Sequence, residues 1–224
     1  MSTATQTAIA WSSGKDSAWA YYKTHEQYGI SAVLTTLTRP YERISMHGVR
    51  EQLLDCQAHM LNLPCHKVWL PKAGSSNDMY EQVMKKTLRT LRDSGITQLI
   101  FGDLFLEDIR EYRERQMKEV GMQAIFPLWQ RNTSELGNSM IEAGLKAIVT
   151  CIDSRKLDKS FAGRQYDRQF IADLPPGVDP CGENGEFHSF VYDGPFFREA
   201  IKVETGETVE RGDFIFTDVF LARS

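Results

Sequence analysis

Between residues 7 and 126, short β-rich runs alternate with stretches of helical periodicity, and this rhythm limits the available folds more than anything else in the chain. Residues 7–11, 32–37, 65–70, 98–101 and 124–126 read as strands. Helices over about 16–28, 49–61 and 108–120, and a third in chain order capped by Asn77 and ended by Gly95, separate them. In that third helix Tyr80, Met84, Leu88 and Leu91 share one face, and Glu81 and Lys85 are spaced to pair on the other. Connections of this length cannot be hairpins. They imply parallel strands with right-handed crossovers and helices on both faces of the sheet. In the common doubly wound order 3-2-1-4-5, the ligand crevice opens between strands one and four. After residue 127 the rhythm changes to one helix (134–143), one strand (146–151), a helical stretch (166–172) and a Gly-punctuated β-rich ending that reads as an antiparallel meander. The expected architecture is α/β: a doubly wound parallel five-stranded sheet in residues 1–127, followed by a smaller mixed α+β domain in residues 128–224.

Composition removes several classes of function. A hydrophobic fraction of 42% and a charged fraction of 25% over 224 residues belong to an ordinary soluble globular chain. The net charge of -4 supplies no broad positive field for nucleic acid. Lys85, Lys86, Arg89 and Arg92 read as a solvated helix face. The N-terminal apolar run is too short for an export or membrane segment, and Cys56, Cys65, Cys151 and Cys181 form neither a CxxC pair nor a zinc spacing. A reduced, cytoplasmic setting without membrane association is expected.

The chemistry concentrates at Ser12-Ser13-Gly14-Lys15-Asp16-Ser17, between the first strand and the first helix. A Gly-containing turn there aims backbone N–H groups and the positive end of the helix at one spot, which suits a polyphosphate. Lys15 would add a mobile charge, Ser12 and Ser17 hydroxyl donors, and Asp16 a magnesium ligand or a helix cap. A Walker A loop is excluded, because Ile9 stands where its first glycine is required and Asp16 follows the lysine. Gly102-Asp103 ends strand four across the expected crevice, and the turn after strand two, with Thr36, borders it.

The run resembles the S-G-G-x-D-S loop of the PP-loop (N-type) ATP pyrophosphatases, with Ser13 in place of the first glycine. Further segments narrow the likeness: Met46-His47-Gly48-Val49-Arg50, QAHMLNLPCHKVWLP, Phe101-Gly102-Asp103, Pro127-Leu128-Trp129 and, most specifically, Cys181-Gly182-Glu183-Asn184-Gly185-Glu186-Phe187-His188-Ser189. Together they resemble the diphthine–ammonia ligase family, whose fold is of the adenine nucleotide alpha hydrolase type. The resemblance implies ATP and Mg²⁺ as cofactors, adenylation of a carboxylate with release of pyrophosphate, and displacement of AMP by ammonia. By motif, Ser12, Gly14, Lys15, Asp16 and Ser17 would hold ATP and Mg²⁺, Asp16 as the metal ligand, and Gly102 and Asp103 would line the nucleotide cleft; Ser13, within the loop, and Thr36, bordering the adenine, join them by position. Glu183, Glu186 and His188 would belong to the acceptor side, with Lys15, Glu183 and Glu186 as the catalytic groups; on chemistry alone, His47 could hydrogen-bond substrate or phosphate, and Arg50 could bind substrate, reach a phosphate or cover a helix face. The acceptor implied is diphthine on elongation factor 2. However, the ending with His188 and DGPFF looks more like the bacterial branch, where a small carboxylic acid takes that place. The resemblance is compatible with a homodimer.

Two other readings stay open on sequence. Cys151 and Cys181 fit a tRNA-thiolating PP-loop enzyme, and a nucleotide-binding sensor would need the loop alone. Trp129, Tyr192, Phe196 and Phe197 are candidates to wall the acceptor pocket or to pack at a junction.

Overall fold

The computed structural model describes residues 6–71 and 77–223. Strands β1 (Gln6–Ala10), β2 (Ile30–Thr38), β4 (Cys65–Leu70), β5 (Ile96–Ile100) and β6 (Gln123–Ile125) pair in parallel in the order β4-β2-β1-β5-β6. This is the doubly wound 3-2-1-4-5 order, and it places the ends of β1 and β5 side by side. The intervening helices are α1 (Lys15–Thr24), α2 (Glu51–Leu61), α3 (Asn77–Asp93) and α4 (Glu107–Glu119).

Alternation along each strand decides which face meets which helix. Ile9, Val33 and Ile100 point to the side covered by α1 (Ala18, Trp19) and α2 (Leu53, Leu54). Ala8, Ala32, Leu34 and Leu99 point to the other side, where α3 presents Met84, Leu88 and Leu91, and α4 presents Met117. The helical stripe expected in α3 is therefore buried as expected, with Tyr80 packed against the same core. Lys85 pairs across to Glu119 of α4 at 2.8 Å rather than with Glu81, because the two helices lie on the same face and bring their outer edges together. Gly95 ends α3 at φ 102. The capping expected of Asn77 falls outside the described side chains.

A two-stranded excursion that the strand-helix rhythm did not reveal follows β2. The short strand β3 (Arg43–Ile44) folds back antiparallel on Leu37 and Thr38. It hangs a turn, residues 45–49, over the end of β1.

The remaining elements are α5 (Thr133–Glu142), β7 (Lys146–Asp153), α6 (Arg168–Asp173), β8 (Phe187–Asp193), β9 (Val203–Arg211) and β10 (Phe214–Leu221). Their strands form a separate antiparallel sheet in the order β8-β7-β10-β9. The β-rich ending is therefore not the meander expected from sequence. Only β9 and β10 form a hairpin, while β7 lies between β10 and β8. Strand β7 is buried from Ala147 onward, so it needs a partner on each edge, and β8 takes the one β10 leaves open. The apolar core on the α1/α2 side runs on into this sheet through Val149, Phe190 and Val219. Among the described residues, no helix is long and apolar enough to cross a membrane.

The two sheets meet around one polar side chain. Gln57 of α2 is fully buried; its Oε1 accepts from Trp11 Nε1 at 2.8 Å, and its Nε2 donates to the carbonyls of Ser13 (3.2 Å) and Val191 (2.6 Å). Val191 N–H in turn donates to Ser13 O at 2.9 Å. A buried amide with both ends satisfied locks three segments in one register.

Candidate active site

A cleft of about 530 Å³ opens where β1 and β5 end. The loop after β1 forms one wall. Trp11 N–H donates to Leu34 O at 2.8 Å, which keeps the chain aligned with β2 up to the turn. Ser13 then adopts φ 67, and Gly14 stands at the N-cap of α1, where it supplies no side-chain cap of its own. The serine hydroxyls organise the loop internally. Ser17 Oγ receives Ser12 N–H at 3.3 Å, lies 3.1 Å from Ser12 Oγ, and donates to Gly14 O at 2.9 Å. Gly14 is required by proximity, since a Cβ there would stand 2.8 Å from His47 Cε1. A tight backbone turn at a helix N-terminus whose cap residue is glycine fits a bound polyphosphate.

Ser13 departs from glycine at some cost. A non-glycine residue in the left-handed region is strained by roughly 1–2 kcal/mol, and its Oγ is buried without a hydrogen-bond partner. Restoring glycine adds about 0.5–1 kcal/mol of backbone freedom to the unfolded chain, less than it relieves. Ser13→Gly is expected to stabilise the protein by about 1 kcal/mol, a rise in melting temperature of roughly 2–4 °C. A lower melting temperature in thermal unfolding would refute the strain assignment.

Across the crevice, Gly102 rests on the first turn of α1. A Cβ there would lie 2.9 Å from Asp16 C and from Ser17 N. Asp103 pairs with Arg113 of α4 at 2.8 Å, an ion pair without hydrogen-bond alignment, and the guanidinium lies over the Phe101 ring. Leu34, Thr36, Tyr80, Met84 and Phe101 line the cleft beside β2 and α3, an apolar shelf of the kind a purine ring needs.

The second sheet closes the site. Lys15 N–H donates to Ser189 Oγ at 3.2 Å. The Lys15 side chain is only 2% exposed, so it is a fixed group rather than the mobile charge expected from sequence. Its ammonium bonds Asp16 Oδ2 at 2.8 Å and the Cys181 carbonyl, with the Tyr166 and Phe187 rings 5.5 and 5.1 Å away. Burial opposes its charge, and the adjacent Asp16 carboxylate keeps its pKa above the ordinary lysine value. The Asp16 side chain is 28% exposed and lines the cleft. Its carboxylate could serve as one ligand of a divalent cation shared with phosphate oxygens. Among the described residues, no three His, Cys, Asp or Glu side chains are grouped to cage a metal by themselves.

Glu183 reaches the cleft from the 181–186 turn, where its Oε1 accepts from Leu104 N–H at 2.7 Å and Phe105 N–H at 3.4 Å. Burial pushes its carboxyl up to about 7, against those two bonds. His47 and His188 lie side by side, ring centroids 4.6 Å apart and tilted by 40°. Burial lowers His47 to about 4, and burial together with His47 holds His188 well below the ordinary histidine value, so both rings are neutral at physiological pH. His188 Nε2 has no partner within the protein.

Two expected acceptor groups lie elsewhere. Arg50 is turned to Asp218, donating from Nε at 3.0 Å and Nη2 at 2.5 Å, because β10 brings that carboxylate to the start of α2. Glu186 is buried under its own turn. Gly182 (φ 69) and Gly185 (φ 79) reverse the chain, and Glu186 Oε1 receives Asp179 N–H at 3.3 Å and Asn184 Nδ2 at 3.1 Å. Trp129, Tyr192, Phe196 and Phe197 do not line the cleft. Burial pushes the thiols of Cys151 and Cys181 to about 12, which keeps both from acting as thiolates. Sequence reading missed Arg113 and Gln57. Arg113 follows cleft-lining Ile109 by one helical turn, and Gln57 interrupts the apolar stripe Leu53, Leu54, Ala58 and Leu61; both spacings were available as signals.

Residues 5–124 match the diphthamide synthase N-terminal domain, and residues 132–220 match the diphthamide synthase C-terminal domain. The chain is 28% identical to the diphthine–ammonia ligase of Homo sapiens over 218 residues, covering 94% of this chain and 75% of that protein. It is 29% identical to the Bos taurus protein of the same name over 152 residues, 65% of this chain and 55% of its relative. The Schizosaccharomyces pombe diphthine–ammonia ligase is 32% identical over 142 residues, 61% of this chain and 23% of that much longer protein. The chain thus spans about half the length of some relatives and three quarters of another. With both sheets matched, and the phosphate loop and the Glu183 turn brought to one cleft, the chain belongs to the diphthamide synthase family.

Proposed function

We propose that this protein is an ATP-dependent ligase that joins ammonia to a carboxylate acceptor, releasing AMP and pyrophosphate. Residues 1–127 supply the nucleotide half and residues 128–224 the acceptor half, in a cytoplasmic enzyme. The observation that carries this reading is Glu183: a carboxyl poised near neutrality faces the same cleft as the phosphate loop. The loop amides and the α1 N-terminus hold the triphosphate, and Lys15 fixes the loop to the Cys181 turn; Asp16 would hold Mg²⁺, which would supply positive charge against the phosphate oxygens. A carboxylate oxygen of the acceptor attacks the α-phosphorus and expels pyrophosphate. The lone pair of ammonia then attacks the acyl carbon, Glu183 takes the proton that nitrogen must lose, and AMP departs with the electrons of the broken C–O bond. The relatives are named for diphthine as acceptor and ammonia as donor; for this chain the acceptor class is carboxylate.

The assay mixes protein, ATP, Mg²⁺, ammonium and a panel of acids, diphthine-bearing elongation factor included, and measures pyrophosphate and AMP. Acceptor-dependent release of both is expected. Orthophosphate and ADP would reject the reading. Nucleotide binding without turnover on any acid would leave a sensor.

A further inference from the structure

A second cavity of about 320 Å³ adjoins the nucleotide cleft and shares Ile44, Ser45 and Met46 with it. It lies between the β3 excursion and the second sheet, and Tyr41, Met46, Val209 and Phe216 give it apolar walls. Among the described residues, three large apolar side chains are exposed, Tyr41, Met46 and Met79, and two of these line this one groove. Exposed apolar side chains gathered at a concavity mark a binding surface, whereas scattered ones do not. Met46 is held there at φ 66, a backbone state that an unbranched side chain adopts only under constraint.

The charges at the rim are unbalanced. Asp218 is the carboxylate lining the groove, and both Arg43 (2.9 Å) and Arg50 (2.5 Å) are engaged on it. Arg211 lies over the Tyr41 ring at 5.4 Å, and among the described residues no carboxylate pairs with it. The groove therefore offers apolar walls, a surplus of guanidinium charge at its outer end, and an inner end continuous with the site of adenylation.

We infer that this groove is the acceptor subsite, and that it takes a dicarboxylic acid with an apolar body. One carboxylate meets Arg211 on Tyr41, the body lies along Met46, Val209 and Phe216, and the other carboxylate passes Ser45 into the nucleotide cleft. The inference rests on the ligase reading for the fate of that second carboxylate, but not for binding itself.

Anilinonaphthalene sulfonate, an aromatic body bearing one anionic group, serves as the probe with the full-length protein. It is expected to bind with one-to-one stoichiometry. α,ω-Dicarboxylates from adipate to sebacate should displace it, and diols of equal length should do so at least tenfold less well. Val209→Trp should fill the groove and abolish probe binding. Arg211→Met, on an exposed position that folding does not depend on, should weaken displacement by dicarboxylates about tenfold and leave the diols unchanged. ATP binding measured in parallel reports an intact cleft. Probe binding unaffected by Val209→Trp, equal displacement by diols and diacids, or no displacement by any free acid would each overturn the inference. Displacement as expected, but without pyrophosphate release when ATP, Mg²⁺ and ammonium are added, would uphold the groove and overturn the ligase reading instead.

Discussion

Glu183→Gln is expected to lower acceptor-dependent turnover by roughly 10²- to 10⁴-fold, the usual contribution of a positioned general base, while ATP affinity stays within a few-fold. The amide keeps the shape and the oxygen that accepts from Leu104 N–H, and loses only the capacity to take a proton. With the carboxyl at about 7, the wild-type rate should climb as pH passes through neutrality and the base becomes ionised. The same shift has the opposite effect on stability. A carboxyl held above its ordinary value of 4.5 retains in the folded state a proton that the unfolded chain has already released. Its stabilising contribution is present below about 4.5 and is lost as pH rises toward 7. The neutral glutamine escapes that loss, so Glu183→Gln should melt higher than wild type at pH 8 and closer to it at pH 5. An unchanged rate would remove Glu183 from the chemistry. A variant that melts lower at pH 8 would mean that the carboxylate is stabilising, contrary to its burial.

Gly102→Ala is expected to weaken ATP binding through backbone displacement alone and to lower turnover by roughly 100-fold, since an error of about 1 Å in a positioned group costs about that much in rate. The added methyl meets main-chain atoms of Asp16 and Ser17, which cannot rotate away as a side chain would. The first turn of α1 must move, and the amides of Asp16 and Ser17 move with it. Overpacking of this kind also costs about 1–3 kcal/mol of stability. Gly29→Ala, where the added methyl meets nothing within 4 Å, is the matched control. Calorimetric titration with ATP reads both variants, and wild-type affinity in Gly102→Ala would show that the two turns are not mechanically joined.

The parallel sheet was legible because its signals are local and repeated: each strand-helix unit carries its own periodicity, and strand order then follows from few alternatives. The facing turns at Ser12–Ser17 and Gly102-Asp103 were legible for the same reason. What sequence reading missed depends on contacts between distant segments. Strand β3 is the local exception: it is only two residues long and has no periodicity to detect. The burial of Lys15 is set by Cys181, Tyr166 and Phe187, more than 150 residues away in the chain. Glu183 and Glu186 look equivalent as a string, and only the positive-φ turns at Gly182 and Gly185 show that one carboxyl faces the cleft while the other is tucked beneath it.

The amide of Gln57 has a bearing on how such enzymes can diversify. Ser13 O receives one hydrogen bond from Gln57 and another from Val191, and Lys15 N–H gives its own to Ser189. The loop after β1 is thus tied in place partly by β8 of the second sheet. If residues 128–224 carry the acceptor specificity, as proposed, a transplanted segment would bring a new one only if it reproduced the backbone of residues 189–191. New specificities in this scaffold should therefore arise from changes in side chains and peripheral turns, such as those around β3, β9 and β10, rather than by exchange of whole halves as interchangeable cassettes.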